Sequence, residues 1–137
     1  MRNILLLLTD QWSSWAFGFL GADIPTPNID RLATSGFRST QFYNTARCCP
    51  ARASLLTGLY PHQAGIGMMV YRNYGDGYQG GLNNSCVTLA EVLKGAGYQT
   101  MLAGKWHAGH QPSMRPESRG FDRFTGIYTH VDSYWKV

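Results

Sequence analysis

What is scarce in these 137 residues narrows the field first. Charge is scarce: Lys plus Arg number 12 and Asp plus Glu 8, together 15% of the chain, against about a quarter in typical domains. Glutamate is nearly missing, with only Glu91 and Glu117, so a catalytic pair of glutamates is close to excluded on number alone. Long hydrophobic runs are missing as well. The longest, Ile4 to Leu8, is far short of the roughly 20 residues that span a bilayer, so no membrane partner is expected. A secretory leader is not visible. Arg2-Asn3 leads into five aliphatics and then Thr9-Asp10, without the longer apolar region and small-residue cleavage site of a signal peptide. As it stands the chain reads as cytoplasmic, and as periplasmic if a leader lies outside it. A basic cluster is lacking too. Nine Arg and three Lys are scattered and give a net charge of only +4, whereas a nucleic-acid partner needs a concentrated basic stripe. Cysteine is limited to Cys48, Cys49 and Cys86. An odd count with an adjacent pair is not a disulfide framework, which leaves a thiol available for chemistry.

What is present is globular. Hydrophobic residues make up 44% and aromatics 13%, a balance that disordered chains do not have. The length fits one domain. Ile4 to Leu8 reads as a strand covered on both faces. That places Asp10 just past its C-terminal end, the edge where open α/β sheets bind ligands. Thr26 and Pro27 suit the cap and first turn of a helix, which Ile29, Leu32 and Ala33 continue at helical spacing and Gly36 ends. Phe37 to Tyr43 reads as a second strand. A further helix starts around Pro50 and ends at Gly58. Residues 59–86, rich in Gly, Tyr and Asn, read as a long loop or small excursion, a kind of segment that is usually functional. Thr88 to Glu91 is a capping box, with Leu89, Val92, Leu93 and Ala96 as the buried stripe behind it. Tyr98 to Ala103 reads as a third strand, followed by Gly104-Lys105-Trp106-His107. Residues 108–137 read as irregular. Alternating strands and helices predict an α/β fold with a mainly parallel sheet flanked by helices. Asp10, Lys105 and His107 then share one sheet edge.

Two places carry chemistry on residue type alone. Asp10-Gln11 offers a carboxylate and an amide oxygen, donors that suit a hard divalent cation; the plainer reading is that Asp10 caps a turn. Cys48 lies at a helix start, where free N–H groups and the dipole attract negative charge, with Arg52 one turn along. There a thiol has a lowered pKa or holds an anion nearby. The alternative is a buried, inert cysteine, a reading that Cys49 and Cys86 fit well. His62, His110 and His130 read as structural or solvated, with contact to substrate as the alternative, and Trp12 and Trp15 as core or pocket lining. Tyr71, Tyr74 and Tyr78 sit in the long loop and read either as shaping substrate choice or as structural, and Arg115, Arg119 and Arg123 read as a solvated face.

The spacing decides between these readings. Cys48-Cys49-Pro50-Ala51-Arg52, ending in Thr57-Gly58, resembles the signature of the type I sulfatases. In that pattern a Cys is followed by any residue, Pro, Ser or Ala, and Arg, with Thr-Gly at the end. Gly97-Tyr98-Gln99-Thr100 with Gly104-Lys105-Trp106-His107 resembles the family's second motif. Pro25 to Ala33 is similar to its first helix. Pro61 to Gly67 and Gly77 to Gly80 look like a bacterial arylsulfatase subgroup. The likeness runs from Asn3 to about Phe124. Asp10-Gln11 departs from the usual Asp-Asp and is similar to the phosphonate monoester hydrolases and choline-sulfatase-like members.

The resemblance implies an alkaline-phosphatase-like sulfatase fold, with residues 1–137 as the N-terminal part of the catalytic domain. The family's further ligands and its second Lys and His come from later in such chains. It implies a sulfuric ester hydrolase acting on a small-molecule or carbohydrate sulfate ester, or a phosphonate or phosphate diester hydrolase of the same superfamily. Cys48, two before Pro50, is implied to become formylglycine through a formylglycine-generating or anaerobic sulfatase-maturing enzyme. One hydroxyl of the hydrated aldehyde attacks sulfur, and the second later expels sulfate. His107 is implied as the base of that expulsion. Lys105 neutralises the sulfate, and Arg52 orients the modified Cys48. Asp10, Gln11 and the modified Cys48 are implied as ligands of Ca²⁺, with Mg²⁺ and Mn²⁺ as alternatives. A third reading is an inactive fragment that only binds a cation or partner. A truncated sheet exposes an apolar edge and face, so the 137 residues alone are expected to be unstable or to aggregate.

Overall fold

The computed structural model describes residues 2–70 and 73–130, which divide into two units, residues 1–43 and 44–137.

In the first unit, helix α1 spans Pro27–Ser35. Pro27 at its first position costs nothing, because that N–H has no helical acceptor. Gly36 ends it, its N–H bonding to Leu32 O at 2.9 Å. Thr26 does not cap through its side chain in the expected way. Its hydroxyl instead donates to Asp30 Oδ1 at 2.7 Å and accepts the Gly18 N–H at 2.9 Å. Asp30 Oδ1 also takes the Phe19 N–H at 3.1 Å. The start of α1 is thereby tied to a 3-10 turn at Gly18–Leu20.

The strands expected over Ile4–Leu8 and Phe37–Tyr43 are not formed. A strand exists only against a hydrogen-bonding neighbour, and no described segment pairs with either. The run Ile4–Leu8 is 47–82% exposed, and Phe37 95%. Such aliphatic surface needs cover. Trp12 stacks on Phe17 with centroids 5.3 Å apart, but Trp12 and Trp15 are exposed rather than core.

In the second unit, α2 spans Cys48–Thr57 and α3 spans Leu89–Gly95. Strands β1, Met101–Lys105, and β2, Arg123–Ile127, form a parallel pair with Gly104 opposite Gly126. The expected mainly parallel character is therefore present. β1 begins three residues later than expected, because Tyr98 N–H bonds back to Leu93 O and Thr100 N–H goes to Asp122 Oδ2. The strand β2 and two 3-10 turns, Pro112–Met114 and Pro116–Arg119, lie where an irregular segment was expected. Gly126 sits at φ 148°, and a methyl group there would collide with the Gly104 backbone. That close approach of two glycine strands hid β2 from propensity reasoning.

The core of this unit comprises Cys49, Ala53, Leu56, Ala64, Ile66, Val70, Leu82, Cys86, Ala90, Trp106, Ala108 and Phe121. Residues 59–86 form no helix or strand among those described. They are nonetheless packed rather than loose: four of those core residues lie within Ala64–Leu82, and Ile66 bridges to Tyr78. Trp106 is the largest of the fully buried side chains. Its indole N–H is shared between Gly109 O at 3.0 Å and Met114 O at 2.9 Å, and its ring meets Phe121 edge-on. Replacing such a side chain by Ala costs about 3–5 kcal/mol.

The capping box of α3 is present as expected. Thr88 Oγ1 accepts the Glu91 N–H at 3.1 Å, and Glu91 Oε2 accepts the Thr88 N–H at 2.6 Å. Its buried face is not the expected stripe, however. Ala90 is buried, while Val92 is 61% exposed. Arg119 corrects another expectation: it is 5% exposed, not solvated. It pairs with Glu91 at 3.0 Å and donates to Asn83 O and Cys86 O. Burial raises the Glu91 pKa, but the Thr88 N–H and Arg119 outweigh it and hold the carboxyl below its usual range.

Candidate functional site

Helix α2 presents Cys48 and Arg52 from its first and second turns. Pro50 fits the first turn, where its missing N–H is not needed. Gly58 ends the helix in the left-handed conformation at φ 71°, its N–H on Ser54 O at 2.8 Å. Arg52 Nη1 donates to the main-chain carbonyl of Lys105, which joins α2 to the C-terminal end of β1. Beyond that end the chain continues the pairing of its strand. Trp106 N–H bonds to Ile127 O at 2.9 Å and His107 N–H to Tyr128 O at 3.0 Å. His107 is wholly buried. Its ring lies edge-on to His130, centroids 6.1 Å apart.

Cys48, Arg52, Lys105 and His107, all expected from the sequence, thus belong to one cluster in the second unit. Cys48 Sγ, Cys49 Sγ and a ring nitrogen of His107 lie within 4.8 Å of one another. Cys49 is buried and its thiol pKa is pushed up to about 12, chiefly by that burial. Its Sγ sits 3.7 Å from Met69 Sδ. Cys49 therefore stays protonated near neutral pH. All three cysteines are thiols.

Asp10 and Gln11 lie in the first unit, adjacent and exposed. Gln11 has φ 54°, and so does His107; among the described residues no other non-glycine has positive φ. Backbone of this kind is uncommon outside Gly, Asn and Asp, and it concentrates at functional sites. A carboxylate beside an amide oxygen fits a hard cation such as Ca²⁺, Mg²⁺ or Mn²⁺. The Cys48, Cys49 and His107 donors are two sulfurs and a nitrogen, and do not.

Cys49 and His130, which lie at the cluster, are not among the site residues expected from the sequence. Cys49 was read as inert, although its adjacency to Cys48 was the available signal. His130 carried no local pattern, since only the parallel run of β2 beside β1 brings it to His107. His62, by contrast, lies outside the cluster, its Nε2 3.0 Å from Tyr78 OH. Tyr71 lies outside the described residues, as do positions 131–137.

The sulfatase family model matches residues 2–137. The arylsulfatase of Klebsiella aerogenes is 38% identical over 123 residues, covering 88% of this chain and 26% of that protein. Among solved structures, the PsFucS1 sulfatase of Pseudoalteromonas sp. superposes with a TM-score of 0.69 at 34% identity, covering 84% of this chain and 23% of that one. Ps i-CgsB in complex with k-i-k-neocarrahexaose gives a TM-score of 0.67 at 28% identity, covering 88% and 27%. The chain spans about a quarter of the length of these relatives. The fold is accordingly that of the sulfatases, and the chain belongs to the sulfatase family.

Proposed function

We propose that the protein is a sulfuric ester hydrolase, arylsulfatase-like, of which these residues form the N-terminal part of the catalytic domain. The observation that carries this reading is the meeting of Cys48 at the start of α2 with His107 at the end of β1. Arg52 is hydrogen-bonded to Lys105 between them.

In this reading Cys48 is oxidised by a maturing enzyme to formylglycine, whose hydrate supplies the nucleophile. Conversion falls on Cys48 rather than Cys49, because Cys49 is fully buried and its thiol holds its proton. The N–H groups and dipole at the start of α2 favour negative charge on the modified side chain. Arg52 fixes that side chain against β1. Lys105 places positive charge at the sulfate oxygens, where a fixed cation lowers the barrier most. His107 takes the proton that must leave as sulfate is released, and its buried ring keeps bulk water from that proton. Asp10 and Gln11 would hold a hard divalent cation, Ca²⁺ by family, and such a cation would supply Lewis-acid positive charge to the reaction. The substrate is a small-molecule or carbohydrate sulfate ester. The carrageenan-type oligosaccharide bound by the neighbour Ps i-CgsB supports the carbohydrate class.

Gln11 favours a second reading, since an amide in place of a carboxylate removes a negative charge from the cation's surroundings. Phosphonate or phosphate diesters are the substrates in that case. Parallel assays of the complete, matured protein with an aryl sulfate and an aryl phosphonate test both. Faster turnover of the sulfate, lost in Cys48→Ala, supports the first reading. Faster turnover of the phosphonate overturns it in favour of the second.

A further inference from the structure

The donors gathered around Cys48 are the wrong set for a hard cation and the right set for a borderline or soft one. Zn²⁺ is held by thiolates at about 2.3 Å and imidazole at about 2.0 Å, with ligand atoms at tetrahedral corners. Three such atoms already stand within 4.8 Å of one another. They come from two elements that are locked together: Cys48 and Cys49 from the first turn of α2, and His107 from the end of β1. The lock is the Arg52 to Lys105 bond, while the Trp106 and His107 amides on Ile127 O and Tyr128 O hold the His107 segment beside β2. Three protein ligands with an open fourth position is the pattern of an accessible zinc site.

We propose that the protein, while Cys48 is still a thiol, binds one Zn²⁺ ion through Cys48 Sγ, Cys49 Sγ and the His107 ring. Each thiol gives its proton to solvent as its sulfur ligates, so the neutral pair of thiols becomes a pair of thiolates on the ion. The site exists only before maturation. Replacing the Cys48 sulfur by an aldehyde oxygen leaves one thiol and one imidazole, too few to compete with buffer. That last step rests on the formylglycine reading above, whereas zinc binding by the thiol form does not. Zinc held at this place covers the sulfur that the maturing enzyme must reach, so zinc and maturation exclude one another.

The test uses the complete protein produced without a maturing enzyme, under reducing and oxygen-free conditions, with Co²⁺ as the spectroscopic stand-in for Zn²⁺. The expected result is one equivalent bound, with a thiolate-to-cobalt charge-transfer band. Cys48→Ser and Cys49→Ser should each lose the band and weaken binding by about tenfold or more. Cys86→Ser should keep it, because Cys86 lies apart beside Arg119. Near-UV circular dichroism shows whether each variant is folded. X-ray absorption at the zinc edge of the unsubstituted protein needs no variant. Two sulfurs and at least one imidazole nitrogen around zinc support the site. A shell of oxygen and nitrogen alone, or a band untouched by Cys49→Ser in folded protein, overturns it. Activity of the matured enzyme is unaffected by either outcome, so failure here is distinguishable from failure of the hydrolase reading.

Discussion

Arg52 donates from its guanidinium to the main-chain carbonyl of Lys105, 53 positions away. One bond thus fixes the helix that carries Cys48 against the strand end that carries Lys105 and His107. A lysine at position 52 keeps the charge and loses the planar fork. In the complete protein Arg52→Lys should lower kcat on an aryl sulfate by about 10²–10³-fold, the range seen when one preorganised donor is removed. The fraction of Cys48 carried as aldehyde must be measured by mass spectrometry for both proteins, so that a maturation defect is not mistaken for a catalytic one. Equal kcat per aldehyde would remove Arg52 from the chemistry.

The adjacent thiols allow a discriminating test of maturation. Peptide mass spectrometry on protein from its native host should show the change from thiol to aldehyde at Cys48, with Cys49 intact. Burial explains the selectivity, since Cys49 is wholly inside while Cys48 is partly exposed. Conversion at Cys49, or none at all, contradicts the hydrolase reading.

The same features show why the site was legible in the sequence when much of the fold was not. Helix signals are local. Pro27, Gly36, Gly58 and the Thr88–Glu91 box act within a turn of their own positions, and all four perform as read. Pairing is not local. Ile4–Leu8 has every intrinsic mark of a strand, yet backbone N–H and C=O groups form a strand only beside a partner. β2 was missed for the opposite reason: Gly126 weakens its propensity, while Gly104 opposite makes a close fit. Arg119 looked like surface because nothing in sequence announces that Glu91, Asn83 and Cys86 converge on it. The chemistry is legible because Cys48 and Arg52 lie one turn apart on one helix, and Lys105 and His107 lie at and just past the end of one strand, where motif spacing is rigid. Strand order led instead to a sheet edge shared by Asp10, Lys105 and His107; among the described residues the sheet holds β1 and β2 alone, and no strand precedes Asp10, because Ile4–Leu8 has no pairing partner.

Acid should act on the second unit through Asp122. Lys94 at 2.7 Å and the Thr100 N–H at 2.9 Å hold its carboxyl at about 2, below the ordinary 3.8. A carboxyl whose pKa is lowered by folding contributes stability that is fully present above the unfolded value and is lost as pH falls through the folded one. The window therefore lies between about pH 4 and pH 2. Urea midpoints of the complete protein should fall across that window, more gently in Asp122→Asn. An identical slope in the variant would show that Lys94 and Thr100 do not hold this charge. Salt should shrink the effect, because the pair is largely exposed and screened.

His107 permits a separation of backbone from side-chain roles. Its φ of 54° costs an ordinary residue about 1–2 kcal/mol, while Asn enters this conformation readily. His107→Asn should then retain most of the stability, and His107→Ala should lose about 1 kcal/mol more, with a further loss from the cavity left in a wholly buried position. Neither side chain can take a proton at the imidazole position. Both variants should therefore lose kcat on an aryl sulfate by about 10²–10⁴-fold, the usual contribution of a positioned acid–base group. Sulfate release, not attack on the ester, should become limiting, so a burst of phenol equal to the enzyme present should precede a slow steady state. A stable His107→Asn protein with near-normal turnover would show that the residue shapes the backbone alone, and another group would have to serve as base.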